Sequence, residues 1–205
     1  DLASISSHKM YGPKGVGALY VSRALQARGL PVARMLGGGH ERGMRSGTLN
    51  VPGIVGFGEA AALMRAEGAA EAARIGTLRD SLQSHIVDAL PEVRLNGAKS
   101  PRHPGNLNLS FGYVDGAALL LELCKRVSVS SGAACSSASA GPSYVLAAMG
   151  VTEDWSAASI RFGLGRGTTE DEVTQTAAAV IEVVEQLRAR SPLWAAKQGG
   201  KRIEW

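Results

Sequence analysis

The stretch Val127-Ser-Val-Ser-Ser-Gly-Ala-Ala-Cys135-Ser-Ser-Ala-Ser-Ala-Gly-Pro142 is the part of the chain around which the remainder is organised. A short β-branched run ends here, and a loop built almost wholly of Ser, Ala and Gly begins. None of these small side chains can anchor a core, and glycine permits wide backbone excursions. The one reactive side chain is Cys135. The pattern is typical either of a mobile loop that carries a functional thiol or of a solvated linker that happens to hold a cysteine.

The composition bounds the class of protein. Of the 205 residues, 45% are hydrophobic and 26 are glycine, which allows a sizeable core with many close backbone approaches. No run of about 18 apolar residues and no signal-peptide pattern is present, so the sequence predicts no membrane span. Cys124 and Cys135 form no disulfide framework, which predicts a reducing compartment, the cytoplasm or, in a eukaryote, the mitochondrial matrix. We expect Cys124 to pack in the core.

The net charge of +4 arises at the C-terminal end of the chain. The charged residues of the last eighteen positions are Arg188, Arg190, Lys197, Lys201 and Arg202, against Glu204. Such a basic tail predicts a solvated end or a docking segment for an acidic partner or RNA. At the other end, Asp1-Leu-Ala-Ser-Ile-Ser6 is typical of a strand already under way, and we expect the chain to be a piece of a longer one.

A lysine follows this first predicted strand. The sequence Ser6-Ser-His-Lys9-Met-Tyr-Gly-Pro-Lys-Gly15 is rich in turn residues, and Gly17-Ala-Leu-Tyr-Val21 predicts a second short strand. The run is not a phosphate-binding P-loop, because that motif leads into a helix. A lysine held between a strand and a turn can serve as a nucleophilic amine, although taken by itself an ordinary surface lysine is the commoner explanation.

A second polar loop follows, Gly37-Gly-Gly-His-Glu-Arg42-Gly-Met-Arg45-Ser-Gly-Thr48-Leu-Asn50. Glycines, two arginines and hydroxyl groups packed this closely suit an anion such as a phosphate or a carboxylate. A flexible polar loop without a ligand has the same composition.

The remaining patterns predict alternating helices and strands. Val51-Pro52 begins a helix, which Gly68 is expected to interrupt, and a second amphipathic stretch then runs to Pro91. We take the neighbourhood of Gly68 as the domain boundary. Further on, the patterns predict strands at 93–95 and 107–113 and helices at 116–125 and 143–149.

The last third of the chain holds a candidate anion-binding arginine. In Ser159-Ile-Arg161-Phe-Gly163 the apolar residues alternate with Arg161, which therefore points to the opposite face of a strand. Such an arginine can bind a carboxylate with two hydrogen bonds or form a surface ion pair. Thr169-Glu-Asp-Glu172 is a capping box and predicts the start of the last long helix.

Four of these stretches, in this order, resemble the cysteine desulfurases, which belong to the class V aminotransferase branch of the pyridoxal-phosphate fold type I enzymes. The stretches are Ser6-Ser-His-Lys9-x-x-Gly-Pro-Lys-Gly-x-Gly-x-Leu-Tyr20, similar to the cofactor-lysine segment; Gly37-Gly-Gly-His-Glu-Arg-Gly-Met-Arg-Ser-Gly-Thr48, similar to the phosphate loop; Val129-Ser-Ser-Gly-Ala-Ala-Cys135-Ser-Ser137, similar to the persulfide loop; and Ser159-Ile-Arg161-Phe-Gly-Leu-Gly-Arg-x-Thr-Thr-Glu170, similar to the substrate-carboxylate segment. The long cysteine loop and the closing Ser191-Pro-Leu-Trp and Ile-Glu-Trp205 resemble the housekeeping, IscS/NifS-like branch.

The resemblance implies an α/β fold of type I in two parts. Residues 1–66 would be the C-terminal part of the large, parallel-sheet domain that binds pyridoxal phosphate. Residues 67–205 would be the small α+β domain, with the persulfide loop and the basic C-terminal tail.

The resemblance also implies a role for each site residue. Lys9 would hold pyridoxal 5'-phosphate as a Schiff base and move protons on the substrate. Ser6 and His8 would bind the phosphate of the cofactor, and Thr48 would reach the phosphate in the other subunit of a homodimer. Arg161 would bind the carboxylate of the substrate.

The implied reaction converts L-cysteine to L-alanine and leaves a persulfide on Cys135. The sulfur would pass to an iron–sulfur scaffold protein and to other sulfur-acceptor proteins, for iron–sulfur cluster assembly and tRNA thiolation. Cys135 would also be a transient ligand of a [2Fe-2S] cluster. We expect no membrane partner and no direct DNA binding.

Two other functions stay open at the level of the sequence. One is a different class V enzyme, an aminotransferase or a selenocysteine lyase, which would use the same lysine. The other is a scaffold- or RNA-binding interaction module without catalysis. The family's N-terminal half, which supplies the residues that stack on and polarise the cofactor ring, has no counterpart here, so we expect the chain alone to be inactive.

Overall fold

The computed structural model describes residues 1–131, 143–201 and 203. The chain divides into two compact units, the N-terminal unit Asp1–Ala69 and the C-terminal unit Ala70–Trp205, and the division falls within a long helix. The described part contains no helix that is both long enough and apolar enough to cross a membrane.

The N-terminal unit contains a two-stranded antiparallel sheet. Strand β1 (Leu2–Ser6) pairs with β2 (Gly17–Val21) over their full lengths, which confirms both predicted strands. The helix α1 (Arg23–Ala27) follows directly, and the Ser22 hydroxyl accepts a hydrogen bond from the backbone N–H of Leu25 at its start. The sheet is therefore built from local pairing, with no buried face of its own.

Helix α2 (Val51–Ala89) begins where Val51-Pro52 predicts it but continues for 39 residues without a break. The prediction that Gly68 interrupts it is wrong. A glycine costs a helix only about 1 kcal/mol relative to alanine, and the Ala, Glu and Arg residues around Gly68 are strong helix formers.

The C-terminal unit contains a three-stranded antiparallel sheet in the order β3-β4-β5. These strands are β3 (Val93–Leu95), β4 (Asn106–Phe111) and β5 (Ser159–Gly163). Strand β4 ends two residues earlier than predicted, because the chain bends at Tyr113, which has φ of 66°. All strand pairs in the described residues are antiparallel, so the chain is mixed α/β and the parallel sheet stays a prediction.

Five helices accompany this sheet: α3 (Gly116–Leu123), α4 (Tyr144–Ala148), α5 (Glu153–Ala157), α6 (Glu170–Ala189) and α7 (Pro192–Gln198). The predicted capping box at the start of α6 is confirmed, since Thr169 and Glu172 exchange hydrogen bonds between side chain and backbone. Helix α7 was not predicted, although Ser191 caps it and Pro192 occupies its first turn.

One hydrophobic core fills the space between one face of the sheet and helices α2, α3 and α6. Its fully buried members include Ile86, Leu107, Leu109, Phe111, Leu119, Leu123, Val180 and Val184. The expectation that Cys124 packs in this core is wrong, because Cys124 caps the C-terminal end of α3 and is exposed. In this helix Leu119 and Leu123 face the core instead.

Part of the predicted basic tail is packed against the rest of the C-terminal unit. Arg188 is 3% exposed, and its guanidinium donates hydrogen bonds to the backbone oxygens of Gly112 (2.9 and 3.1 Å) and Glu92 (3.1 Å). Burial lowers the pKa of Arg188, while the Glu92 carboxylate acts in the opposite direction. Lys197 pairs with that carboxylate at 2.9 Å. Both cations therefore attach the C-terminal helices to the unit; Arg202 and Glu204 lie outside the described residues.

Candidate active site

Lys9 lies on a short, closely bounded turn. Ser7–Met10 form one turn of 3-10 helix directly after β1, and Tyr11 follows in the left-handed conformation. The backbone N–H of Ser7 donates to Val16 O (3.1 Å), and Gly12 N–H donates to Ser7 O (3.0 Å). A Cβ at Gly12 would lie 2.1 Å from Ser7 Oγ, so any larger residue there requires the Ser7 side chain to move. The lysine is thus held by backbone bonds on both sides of its turn.

The side chains around Lys9 are available to a ligand. Ser6, His8 and Lys9 are exposed, and no hydrogen bond or ion pair joins their side chains to another described residue. The neighbouring Ser7 is fully buried, and its Oγ has no partner among the described residues. A primary amine beside an imidazole and hydroxyl groups is a donor set that suits an aldehyde and a phosphate, and it therefore fits pyridoxal 5'-phosphate.

The second polar loop of this unit ends at Thr48, which is exposed. Within it, Glu41 and Arg42 both have positive φ (53° and 58°), and Arg45 donates to the backbone oxygen of Gly47 at 3.0 Å. Ser46 is buried, and its N–H donates to Met35 O, which anchors the middle of the loop. Thr48 could donate its hydroxyl to a phosphate; its predicted role toward a second subunit stays a prediction.

Cys135 lies outside the described residues, but both ends of its loop are described. Ser130 and Arg161 exchange both backbone hydrogen bonds, Arg161 N–H to Ser130 O at 2.7 Å and Ser130 N–H to Arg161 O at 3.2 Å. After the loop, Ser143 caps helix α4 by accepting from Leu146 N–H. The segment before the loop is therefore added to the sheet directly beside Arg161.

Arg161 lines a cavity of about 360 Å³ in the C-terminal unit. The half-buried Arg161 points to the face of the sheet away from the core, as the alternation in β5 predicts. Ser143, Val145, Leu146 and Met149 form one wall, which joins the end of the Cys135 loop to the cavity that holds Arg161. No ion pair joins Arg161 to any described residue, so the alternative of a surface ion pair has no support there.

Sequence reasoning missed a group of amides on the floor of this cavity. Asn96 and Asn108 both line it, and Asn96 Nδ2 donates to Asn108 Oδ1 at 2.6 Å and to Ser110 Oγ at 2.7 Å. The available signal was the alternation Leu107-Asn-Leu-Ser-Phe111, whose polar positions occupy the same face as Arg161. Two other polar residues that line the cavity, Arg102 and His103, were also not predicted.

No metal site was found in the part of the chain that the structure describes. No three His, Cys, Asp or Glu side chains cluster there. The predicted cluster ligand, Cys135, is outside that part.

Comparison with known proteins places this arrangement in a class. The chain is similar to a solved NifS-like protein (TM-score 0.77, 33% identity, 91% of this chain and 47% of the other) and to the NifS-like protein from Rickettsia africae (TM-score 0.77, 30% identity, 90% and 48%). The fold is therefore the mixed α/β fold of NifS-like proteins.

The family follows from the sequence comparison. Residues 1–176 match the model of the aminotransferase class-V family, and the chain belongs to that family. Membership implies pyridoxal 5'-phosphate as the cofactor.

The curated relatives are cysteine desulfurases by name. Over its whole length the chain is 58% identical to the cysteine desulfurase IscS of Anaeromyxobacter sp. and 50% identical to that of Shewanella baltica. The chain spans about half the length of these relatives, 51% and 50% respectively.

Proposed function

We propose that this chain is part of a cysteine desulfurase that transfers sulfur from L-cysteine to Cys135. The observation that carries the proposal is the position of Arg161, which is bonded to Ser130 before the Cys135 loop and shares a cavity with Ser143 after it. Arg161, the candidate anion-binding residue, therefore lies beside both described ends of the loop that carries the thiol. The 58% identity with a cysteine desulfurase over the whole chain supports the same function.

In the proposed enzyme the N-terminal unit holds the cofactor. When bound, pyridoxal phosphate withdraws electrons from the substrate and so weakens its bonds at Cα and Cβ. Lys9 would hold the cofactor through its amine and move a proton at the substrate Cα. Ser6 and His8 would donate hydrogen bonds to the phosphate, and Thr48 would do so in a second subunit of a homodimer.

In the C-terminal unit, Arg161 would bind the substrate carboxylate and Cys135 would take the sulfur. The thiolate of Cys135 attacks the substrate sulfur, an S–S bond forms, and the Cβ–S bond breaks. The electron pair of that bond goes to Cβ, which takes up a proton, so the products are L-alanine and a persulfide on Cys135.

The length of the loop agrees with this transfer. Cys135 is four residues beyond Ser131 in the sequence. Because an extended chain spans at most about 3.5 Å per residue, the two Cα atoms are separated by no more than about 14 Å.

The wider assignments belong to the same proposal. Residues 1–66 would be the end of the large cofactor-binding domain and residues 67–205 the small domain. The persulfide sulfur would pass to a scaffold or acceptor protein, and a [2Fe-2S] cluster would be bound by Cys135 only in transit.

The test is the mass of the protein after incubation with pyridoxal phosphate and L-cysteine, with and without reductant. In a protein extended to the full length of its relatives we expect a reducible gain of one sulfur atom that maps to Cys135 and is absent in Cys135→Ala and in Lys9→Ala. Cys124→Ser is the matched control, because Cys124 is the other thiol and is exposed; this variant keeps the gain.

The same measurement is made on this chain and on a protein extended to the full length of its relatives. A gain only in the longer protein supports the function and shows that the added residues are essential to it. No gain in either protein contradicts the proposal and favours an interaction module. Sulfur retained by Cys135→Ala contradicts the role of Cys135.

A further inference from the structure

We propose that Asn108 is a second hydrogen-bond donor for the substrate carboxylate beside Arg161, and that Asn96 fixes the orientation of its amide. This inference rests on the proposed role of Arg161 and adds residues that select an α-carboxylate.

The register of the sheet brings these side chains into one row. Asn96 follows β3, and its N–H donates to Asn108 O at 3.0 Å, which places the two residues opposite each other. Asn108 is the register partner of Arg161, and Arg161 is the partner of Ser130. Residues that are directly opposite in neighbouring strands project to the same face. Asn96, Asn108, Arg161 and Ser130 therefore form a row across the sheet, on the face away from the core.

Asn108 and Arg161 form the closer of the two kinds of antiparallel pair. The backbone bonds between β4 and β5 include Phe111 N–H to Ala158 O and Leu164 N–H to Gly105 O. Since bonded pairs alternate along such a ladder, Asn108 and Arg161 are a non-bonded pair, in which the Cα atoms are about 4.5 Å apart and the side chains lie closest. Two donor groups thus lie next to each other in the cavity.

The contacts of Asn96 determine which end of the Asn108 amide faces the cavity. Asn96 is 8% exposed, and its Nδ2 donates at 2.6 Å to Asn108 Oδ1 and at 2.7 Å to Ser110 Oγ. With its oxygen occupied by Asn96, Asn108 directs its NH₂ group away from Asn96. In the described residues no acceptor is bonded to that NH₂ group or to the Arg161 guanidinium.

Arg102, which also lines the cavity, does not offer a comparable site. Arg102 donates to the backbone oxygens of Asn96, Ala98 and Asn106, so its guanidinium is engaged with its own loop. Arg161 and Asn108 are the two donors that the register of the sheet places side by side in the cavity. Two such donors beside the apolar side chains of Val145, Leu146 and Met149 suit a small amino acid, whose carboxylate meets the floor and whose aliphatic part meets the wall.

The test compares two ligands that differ in the carboxylate alone, L-cysteine and cysteamine. Both are titrated under reducing conditions, without cofactor, into the ¹⁵N-labelled chain, and the dissociation constants are obtained from chemical shifts. We expect L-cysteine to bind more tightly than cysteamine. Asn108→Ala weakens the binding of L-cysteine by about tenfold or more, the size expected for one hydrogen bond to a charged group, and leaves the binding of cysteamine unchanged. Arg161→Ala removes the preference for L-cysteine.

Asn106→Ala is the matched control, since Asn106 is the same residue type on the same strand and the same face, outside the row; it leaves both constants unchanged. Asn108→Asp keeps the acceptor for Asn96 but replaces the donor with a carboxylate, so its loss of L-cysteine affinity is at least that of Asn108→Ala. If Asn108→Ala does not fold, as shown by the loss of its dispersed NMR spectrum, Asn108→Asp replaces it in the test. Asn96→Ala gives a smaller loss with the same dependence on the carboxylate.

The proposal is overturned if the parent chain shows no carboxylate-dependent binding, if both Asn108 variants bind L-cysteine as the parent does, or if they weaken cysteamine equally. Its failure is separable from that of the proposed function. Sulfur transfer to Cys135 without an effect of Asn108 rejects only the present inference, whereas carboxylate-dependent binding without sulfur transfer in either protein rejects the desulfurase.

Discussion

The two units hold their chemical groups in different ways. In the C-terminal unit Arg161 projects from a strand whose other face is packed on a continuous core. In the N-terminal unit the buried hydrophobic residues are Val21 and Ala60, while Leu2, Leu19 and Tyr20 on the two strands are more than half exposed. The turn that carries Lys9 therefore depends on backbone hydrogen bonds and close glycine contacts, and the strand that carries Arg161 depends on side-chain burial.

This comparison predicts that the loss of a leucine side chain lowers the stability of the C-terminal unit much more than that of the N-terminal unit. This is the largest effect we expect. Leu109 is fully buried in the centre of the sheet, and Leu109→Ala should lower the free energy of unfolding of the C-terminal unit by about 3–5 kcal/mol through lost burial and a cavity. Leu19→Ala, at a position that is 53% exposed on β2, should change the N-terminal unit by about 0.5 kcal/mol or less.

The two units can be followed separately in this experiment. All three tryptophans, Trp155, Trp194 and Trp205, belong to the C-terminal unit, so their fluorescence in urea reports its unfolding. Hydrogen exchange of peptides from residues 1–22 reports the N-terminal unit. Equal losses for the two leucine variants would contradict the comparison.

A backbone contact should matter more in the N-terminal unit, and the expected effect is intermediate. A Cβ at Gly12 would lie 2.1 Å from Ser7 Oγ and 3.1 Å from Ala60 Cβ, so Gly12→Ala should cost about 1–3 kcal/mol through overpacking and increase exchange around Lys9. The control is Gly58→Ala in α2, where a Cβ meets nothing within 4 Å and should stabilise the helix by up to about 1 kcal/mol.

The double variant Ser7→Ala/Gly12→Ala tests whether the contact with Ser7 Oγ is the cause of the loss. Removing the Ser7 hydroxyl opens the space that the new methyl group needs, so the double variant should regain a part of the loss. A Gly12→Ala variant with unchanged exchange near Lys9 would show that the close contact does not hold the turn.

Elements with local signals were predictable from the sequence. The alternation of β5, the turn residues around Lys9 and the capping box at Thr169 each act through neighbours within a few residues, and each is found in the structure. Gly68 was misjudged because a penalty of about 1 kcal/mol is small beside the propensity of the surrounding helix formers.

Residues whose environment comes from distant parts of the chain could not be predicted. Arg188 counts as a tail cation in the sequence, yet it is buried against Gly112 and Glu92, 76 and 96 residues away. Likewise, the bond between Asn96 and Asn108 requires the register of β3 and β4, which no single segment encodes. The candidate donor Asn108 therefore appears only in the fold, whereas Arg161 and Lys9 are marked by their own motifs.

The smallest expected effect concerns an ion pair at the margin of the C-terminal unit. Glu71 accepts hydrogen bonds from Arg166 at 2.7 and 3.1 Å, and Arg74 donates to the backbone oxygens of Arg166 and Thr168, which fixes the turn after β5. The hydrogen bond from Arg166, with the positive charges of Arg166 and Arg74, lowers the pKa of Glu71. A carboxylate with a lowered pKa stabilises the folded unit above the pKa of an ordinary glutamate, about 4.3, and this contribution is lost as the pH falls further.

Glu71→Gln should therefore be less stable than the parent at pH 7 and approach it as the pH falls below about 4, in urea unfolding followed by tryptophan fluorescence. Glu185→Gln, an exposed change of the same chemistry on α6 and outside this ion pair, is the control measured beside it. A difference between Glu71→Gln and the parent that persists unchanged in acid would mean that the side chain acts through packing, and the charge at this margin would then have no part in holding the strand of Arg161.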